Sequence, residues 1–270
     1  MKKKYEFTGE VKEFRGRVLH RIRRIKDGLV GGWIEKEENL SHEGDCFVYD
    51  EAVVYGNGKV YGDAMIFGDA EISDNANIFG NTEISDNAMV YGNAMVYGNS
   101  KVFGNAEICD SARVYNNAEI YGRARVCDNA EIYDNARVYN NAEIYDNARV
   151  YNDAEIYGRA RVCGDAKTFG DTEVCGDARV CGRARVYEGK IVGQISQPYK
   201  DIFYCQCKNR GLTAILTKDN EILYSVGCQN NITKETFLDR IYNENGGLEK
   251  NPHRKEYLKL IPAIEQYFRS

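Results

Sequence analysis

From Cys46 to Gly189 the chain passes through 24 consecutive six-residue units without one inserted or deleted residue. Asn129-Ala130-Glu131-Ile132-Tyr133-Asp134 followed by Asn135-Ala136-Arg137-Val138-Tyr139-Asn140 shows the pattern. A small residue is followed two places later by an aliphatic, then by an aromatic or Cys, and a pair drawn mostly from Gly, Asp and Asn closes the unit. A unit this short cannot bury its own apolar side chains, so it must coil and stack them. Alternation along a short strand turns Ala130 and Ile132 inward and Glu131 and Tyr133 outward. Gly, Asp and Asn tolerate the left-handed backbone that a sharp corner needs. The expected object is a polygonal coil with one unit per side.

The columns formed by stacking decide the number of sides. With 18 residues per coil, one outward column reads Tyr61, Phe79, Tyr97, Tyr115, Tyr133, Tyr151, Phe169, Tyr187 and is aromatic at every rung. A second holds Ser73, Cys109, Cys127, Cys163 and Cys181 among Tyr55, Tyr91 and Tyr145, and a third runs from Tyr49 and Phe67 to Tyr157 and Cys175. Outward charges alternate unit by unit, so three sides stack Glu107–Arg125–Glu143–Arg161 and Arg113–Glu131–Arg149. Two or four sides would set Glu over Glu at about 4.7–4.9 Å, which is destabilising. Three sides and about eight coils give a prism roughly 35–40 Å long. Thr168 occupies an inward aliphatic position, where a bond from its hydroxyl to a nearby carbonyl is expected.

The repeat accounts for the 26 Gly, the 20 Tyr and the low count of 3 Pro. Charge is uneven around it: residues 1–30 carry ten Lys/Arg against four acids, and residues 31–50 one against six. No long like-charge run points to a disordered acidic tail or a histone-like arm. Lys2-Lys3-Lys4 is not followed by an apolar core, and no apolar stretch is long enough to span a bilayer, so neither a leader nor a membrane span is expected. Nine Cys is an odd number, and five of them stand where Tyr otherwise does. That usage reads as a reduced, cytoplasmic protein with Cys as a small filler, against the sharper reading of a soft-metal or redox pair at Cys109 and Cys127.

Residues 1–45 read as an N-terminal β cap, with two short strands turning near Thr8-Gly9-Glu10, a basic strand over Leu19–Ile25 and a turn at Lys26-Asp27-Gly28. Trp33 is the expected plug over the open apolar end of the coil. Arg21, Arg23 and Arg24 form a possible basic patch. No aromatics interleave with them, so a solvated strand face balanced by Glu35, Glu37 and Glu38 is favoured over nucleic-acid binding. Residues 190–270 read as a small α+β domain. Strands over 201–207, 212–217 and 221–226 precede a helix capped by Thr233 and a second helix from Pro252 to Phe268. Cys205, Cys207, Cys228 and His253 could be assembled into a metal site, but their spacing favours buried structural Cys.

Uninterrupted hexads with an inward aliphatic and a small residue two places before it resemble the hexapeptide-repeat, left-handed parallel β-helix superfamily, over residues 46–189. The entry segment Gly31–Ser41 and the Tyr-Gly-Asn-Ala units after it are similar to uncharacterised phage and prophage hexapeptide proteins. The resemblance implies a left-handed coil, a trimer and, in its best-known members, acyl transfer with His as general base. None of the three His (His20, His42, His253) lies in the hexads and no loop interrupts them, so an acyl- or nucleotidyl-transferase activity is the lesser reading, with no cofactor or metal expected. The leading expectation is a non-catalytic homo-oligomeric scaffold in the cytoplasm, the host's if phage-encoded. It would associate through the aromatic column, favouring a trimer, and present its C-terminal domain to a protein partner such as a host defence protein. The alternatives for the column are a face for a glycan or a single nucleic-acid strand, or rings lying on their neighbours with no partner.

Overall fold

The structure is a computed structural model and describes residues 3–182, 185–192, 201–207, 210–216, 221–226 and 229–269. The repeat forms a parallel β-solenoid of about eight turns. Each side is a two-residue strand such as Glu131–Ile132, paired in register with the strands 18 residues before and after, here Arg113–Val114 and Arg149–Val150. Three columns of strands result, named here by what they show outward. The cystine face contains Glu107–Ile108 and Arg125–Val126, the ring face Arg113–Val114 and Glu131–Ile132, and the mixed face Glu119–Ile120 and Arg137–Val138.

Inside, the small and aliphatic positions form one continuous core in which Ala130, Ile132, Ala136 and Val138 are fully buried. Corners are built as the composition requires, with Asp134 at φ 58° and Asn140 at φ 61°. At Gly44, φ is +68° and an added Cβ would stand 2.1 Å from the Gly62 carbonyl oxygen, so the entry corner admits only glycine. Where Thr or Ser replaces the corner Ala, the hydroxyl donates to the carbonyl three residues back: Thr82 to Phe79 at 2.7 Å, Ser100 to Tyr97 at 3.0 Å and Thr172 to Phe169 at 2.6 Å. Thr168 does not follow them. Its Oγ1 is buried with no partner, contrary to the expected carbonyl bond, because at the aliphatic position the side chain points into the core. Thr168→Val keeps the shape and removes the orphan, so it is expected to stabilise the protein by about 1–2 kcal/mol in chemical denaturation.

The N-terminal segment is an antiparallel sheet rather than two strands turning at Gly9. β1 (Tyr5–Phe14) runs through Thr8-Gly9-Glu10 as a bulge and turns at Arg15-Gly16 into β2 (Arg17–Arg24). β2 pairs with β3 (Val30–Ile34), whose Trp33 and Ile34 pair in parallel with Val53 and Val54 and so start the cystine face. Core closure falls to Tyr5, Ile22, Ile34 and Leu40, which join the interior cluster. Trp33 is not the plug. It alternates with Ile34 and lies outside, packed with Leu19, Val53, Tyr55 and Phe14.

At the other end the long strands Lys167–Cys175 and β4 (Arg185–Val192) carry the ring and mixed faces round the corner into one sheet. β5 (Asp201–Cys207) pairs in parallel with β4. It then continues antiparallel through β6 (Arg210–Leu216), β7 (Ile222–Val226) and β8 (Gln229–Thr233). α1 (Lys234–Tyr242) is capped by the Thr233 hydroxyl accepting from the Thr236 amide, and α2 (Lys255–Arg269) follows a short 3₁₀ turn at Pro252–Arg254. Their core unites Leu212, Ala214, Tyr224, Phe237, Ile241, Tyr257, Ile261 and Ile264. Strand β8 had no clear sequence signal, since Gln229-Asn230-Asn231 reads as a loop.

Candidate functional site

The ring face is the most regular surface feature. Tyr61, Phe79, Tyr97, Tyr115, Tyr133, Tyr151 and Phe169 stack ring on ring, with centroids 4.8–5.0 Å apart and planes within 0–7° of parallel. Tyr187, the eighth member, has its backbone on the last rung and its side chain outside the described residues. The spacing is that of the rungs themselves, and it gives the offset contact that aromatic pairs prefer. Each ring covers its neighbours' faces, so the solenoid presents a comb of ring edges. Tyr61, at the end of the stack, is 37% exposed, and the remaining Tyr and Phe of the stack are half-buried.

Burial of the ring face raises its phenols. Tyr115 is pushed up to about 12, first by desolvation and then by the Glu131 carboxylate and the neighbouring tyrosines. On the cystine face Tyr91 also rises to about 12, by desolvation and by donating its hydroxyl to Glu107. A phenol with a raised pKa holds its stabilising contribution below pH 10 and loses it as pH climbs through 12. Ultraviolet titration of the folded protein is therefore expected to show a class of tyrosines ionising about two pH units late. All phenols titrating near 10 would contradict the stacked, desolvated arrangement.

Charge ladders flank the rings. Arg113 and Arg149 reach Glu131 at 3.5 and 3.2 Å, Arg125 reaches Glu107 at 2.8 Å, and Arg137 bridges Glu119 and Glu155. The alternation fails at the top, where Glu155 stacks on Glu173, Arg149 on Lys167 and Arg161 on Arg179. At one corner Asn81, Asn99, Asn117, Asn135 and Asp153 form an amide ladder, each Nδ2 donating to the Oδ1 one rung on at 3.0–3.2 Å. Recurrence of Asn every 18 residues was the available signal for it. Part of this ladder lines a shallow groove of about 680 Å³ beside the rings.

On the cystine face Cys109 is disulfide-bonded to Cys127 and Cys163 to Cys181, with Cα atoms 4.6 Å apart in both pairs. This corrects both the filler reading of those four residues and the expectation of a reduced protein: adjacent rungs bring the Cα atoms into the range a disulfide requires, and such pairs persist in oxidising surroundings. Cys109, Asp110 and Cys127 gather potential metal ligands within 4.8 Å, but both sulfurs are spent on each other. The side chains of Cys205, Cys207, Cys228 and His253 lie outside the described residues.

The arginines of the possible basic patch are individually neutralised, as the favoured charge-balanced face requires, but by other partners than Glu35, Glu37 and Glu38. Arg21 pairs with Glu51 at 2.7 Å, Arg23 with Glu6 at 2.7 Å and Arg24 with Asp27 at 2.6 Å. Glu35 instead takes Arg17, and Glu37 takes Lys3. Trp33 donates its indole N–H to Glu51 at 2.9 Å and lies between Lys12 and Arg21, 4.5 and 4.8 Å from its ring. Burial works to raise the Glu51 carboxyl, but hydrogen bonds from Arg21, Trp33 and Lys12 outweigh it and hold the group low.

His42 ties down the start of β1. Its Nδ1 accepts the Lys4 amide at 3.2 Å and its ring stacks on Tyr5 at 4.4 Å. Desolvation holds its pKa below the ordinary value of 6.5, with Lys3 and Lys4 adding to the effect and Glu37 opposing it. A depressed pKa means that stability present above pH 6.5 is lost as pH falls through the folded value. The imidazolium cannot accept the Lys4 amide. Amide exchange at Lys4 and Tyr5 is therefore expected to accelerate below pH 6.5 relative to the ring-face rungs, and equal protection at pH 7.5 and 5 would contradict this.

Two stretches of the chain, residues 84–98 and 178–194, match the family model described as the YdcK beta solenoid repeat. The chain is similar to that repeat over one internal rung and the exit of the solenoid. No curated protein matches the chain. No helix among the described residues is long and apolar enough to cross a membrane.

Proposed function

We propose that the protein is a non-catalytic scaffold that assembles side by side through its ring face, as a trimer, and presents its C-terminal domain to a protein partner. The observation that carries this reading is the seven-ring stack. It is a straight, aromatic strip running the length of the prism with its edges open, and tyrosine is enriched where proteins meet. Three parallel prisms about a threefold axis would bury the strip in each copy. A base or sugar needs a free ring face to stack on, and every internal ring here has both faces taken, which weighs against glycan or single-strand binding on this column.

The C-terminal domain continues the solenoid's own sheet through β4 and β5, which suits it to being held out as a rigid head. Tyr242 on α1 is 51% exposed and is the natural anchor for a partner there. The narrower kinship, to hexapeptide-repeat proteins of phages acting on a host protein, rests on the hexads and the Gly31–Ser41 segment and forms part of the same proposal.

Two variants separate the roles. Tyr115→Glu with Tyr133→Glu is expected to lower the thermal transition, since it removes ring contacts and sets Glu over Glu, while leaving the solenoid folded, and to abolish side-by-side assembly. Tyr242→Ala is expected to leave assembly intact and to lose the protein captured from host lysate by the wild type. Capture unchanged by Tyr242→Ala would move recognition away from α1.

A further inference from the structure

We infer that Cys109, Cys127 and Asp110 form a reduction-gated site for a thiophilic divalent cation of the Zn²⁺ or Cd²⁺ class. The pair is a disulfide in oxidising surroundings and a chelate in reducing ones. Both sulfurs and a carboxylate oxygen of Asp110 lie within 4.8 Å of one another. The Asp110 carboxylate accepts the Asp128 amide with Oδ2 at 3.3 Å, which fixes its direction and leaves Oδ1 for a ligand.

Spacing after reduction is set by the backbone and not by the S–S bond. The Cys109 amide donates to the Val126 carbonyl at 2.9 Å and the Cys127 amide to the Ile144 carbonyl at 3.0 Å. These rung bonds keep the two Cα atoms 4.6 Å apart. Two sulfurs bound to one tetrahedral cation at about 2.3 Å stand roughly 3.8 Å apart. Side chains on Cα atoms this close reach that separation by rotating about their own bonds. Two thiolates with a carboxylate favour a soft divalent cation over Mg²⁺ or Ca²⁺. Cys127 is half-buried and Asp110 exposed, so the fourth position opens to solvent and takes a water.

The second cystine lacks the third ligand. Cys163 and Cys181 stand on the same face with the same Cα spacing, but Gly164 and Gly182 follow them where Asp110 and Asp128 follow the first pair. Among the described residues, only the first pair gathers a carboxylate with its sulfurs. Opening the site takes one two-electron reductant. A dithiol gives two electrons and two protons to the S–S bond and closes to its own disulfide. A phosphine gives the electrons and becomes its oxide, with water supplying the oxygen and the protons. The cation then displaces both thiol protons to solvent. The site is on the cystine face and is independent of the ring-face assembly.

The test uses the full chain reduced with a phosphine, with Cd²⁺ as the probe read by its thiolate charge-transfer absorption. The reduced wild type is expected to hold one more tightly bound Cd²⁺ per chain than the oxidised protein. Cys109→Ser with Cys127→Ser is expected to lose that equivalent, and Cys163→Ser with Cys181→Ser to keep it. Asp110→Asn is expected to weaken it by at least about tenfold, the loss that removing even an outer partner of a metal site causes. Cd²⁺ is also expected to raise the denaturation midpoint of the reduced wild type more than that of reduced Asp110→Asn. Should full reduction unfold the chain, Cys127→His breaks the first disulfide, keeps a ligand and leaves Cys163–Cys181 closed. That variant is expected to bind one Zn²⁺ without reductant, and a failure to bind overturns the inference. Equal Cd²⁺ counts in oxidised and reduced wild type, an Asp110→Asn affinity equal to wild type, or loss of the equivalent with the Cys163–Cys181 pair instead also overturns it.

Discussion

Replacing Ile132 by aspartate is expected to cost roughly 4–5 kcal/mol and to abolish the cooperative unfolding of the whole prism. Ile132 is fully buried between Val114 below and Val150 above, in an interior cluster of apolar side chains. Its carboxylate would have to be protonated or drag its rung open. Because each rung touches only its neighbours, the break would leave the N-terminal and C-terminal coils to melt separately. Glu131→Ala, one residue away and outward, removes only half-exposed ion pairs with Arg113 and Arg149 and is expected to change stability by less than about 1 kcal/mol. Denaturation of the two variants side by side measures the difference. Equal losses would mean that the inward and outward positions have been misassigned.

Reduction of the two disulfides is expected to be the next largest effect. Each links residues 18 apart in sequence, and closing a loop of that length constrains the unfolded chain by about 3 kcal/mol. The pairs lie on separate rungs with Tyr145 between them, so their contributions should add. Reductant should therefore lower the denaturation midpoint of the wild type in two comparable increments. Cys109→Ser with Cys127→Ser should reproduce one increment and leave the other sensitive to reductant. A midpoint indifferent to reductant would show that the cysteines act as the fillers their composition first suggested.

Most of the architecture was legible because one physical constraint, like charges avoiding each other at strand spacing, selects 18 residues per coil. Glu107 over Arg125 and Ile132 between Val114 and Val150 follow directly from it. The ring column was legible as a column, and rings lying on their neighbours was one of the three arrangements that the column left open. Outward alternation says only that Tyr133 leaves the core, and stacking depends on side-chain angles that the rung spacing then fixes. The disulfides show the same limit: register placed Cys109 beside Cys127, while an odd cysteine count argued for free thiols. At the cap the reading failed locally. Trp33, between Gly and Ile, was read as the plug over the open end, yet strand alternation with Ile34 turns it outward, and the partners of Arg21, Arg23 and Arg24 come from Glu51, Glu6 and Asp27 rather than from the nearest acidic run. Those pairings are set by the β1–β2 hairpin folding over the first rungs, a long-range arrangement that no local pattern encodes.

The central proposal is that the ring face joins copies of this chain. The most direct measurement is the molar mass of the intact protein in solution, by light scattering over a range of concentrations. A multiple of three chains of 30.6 kDa is predicted for the wild type, falling below three in the Tyr115→Glu, Tyr133→Glu variant. A strict single-chain mass for the wild type at every concentration would contradict it.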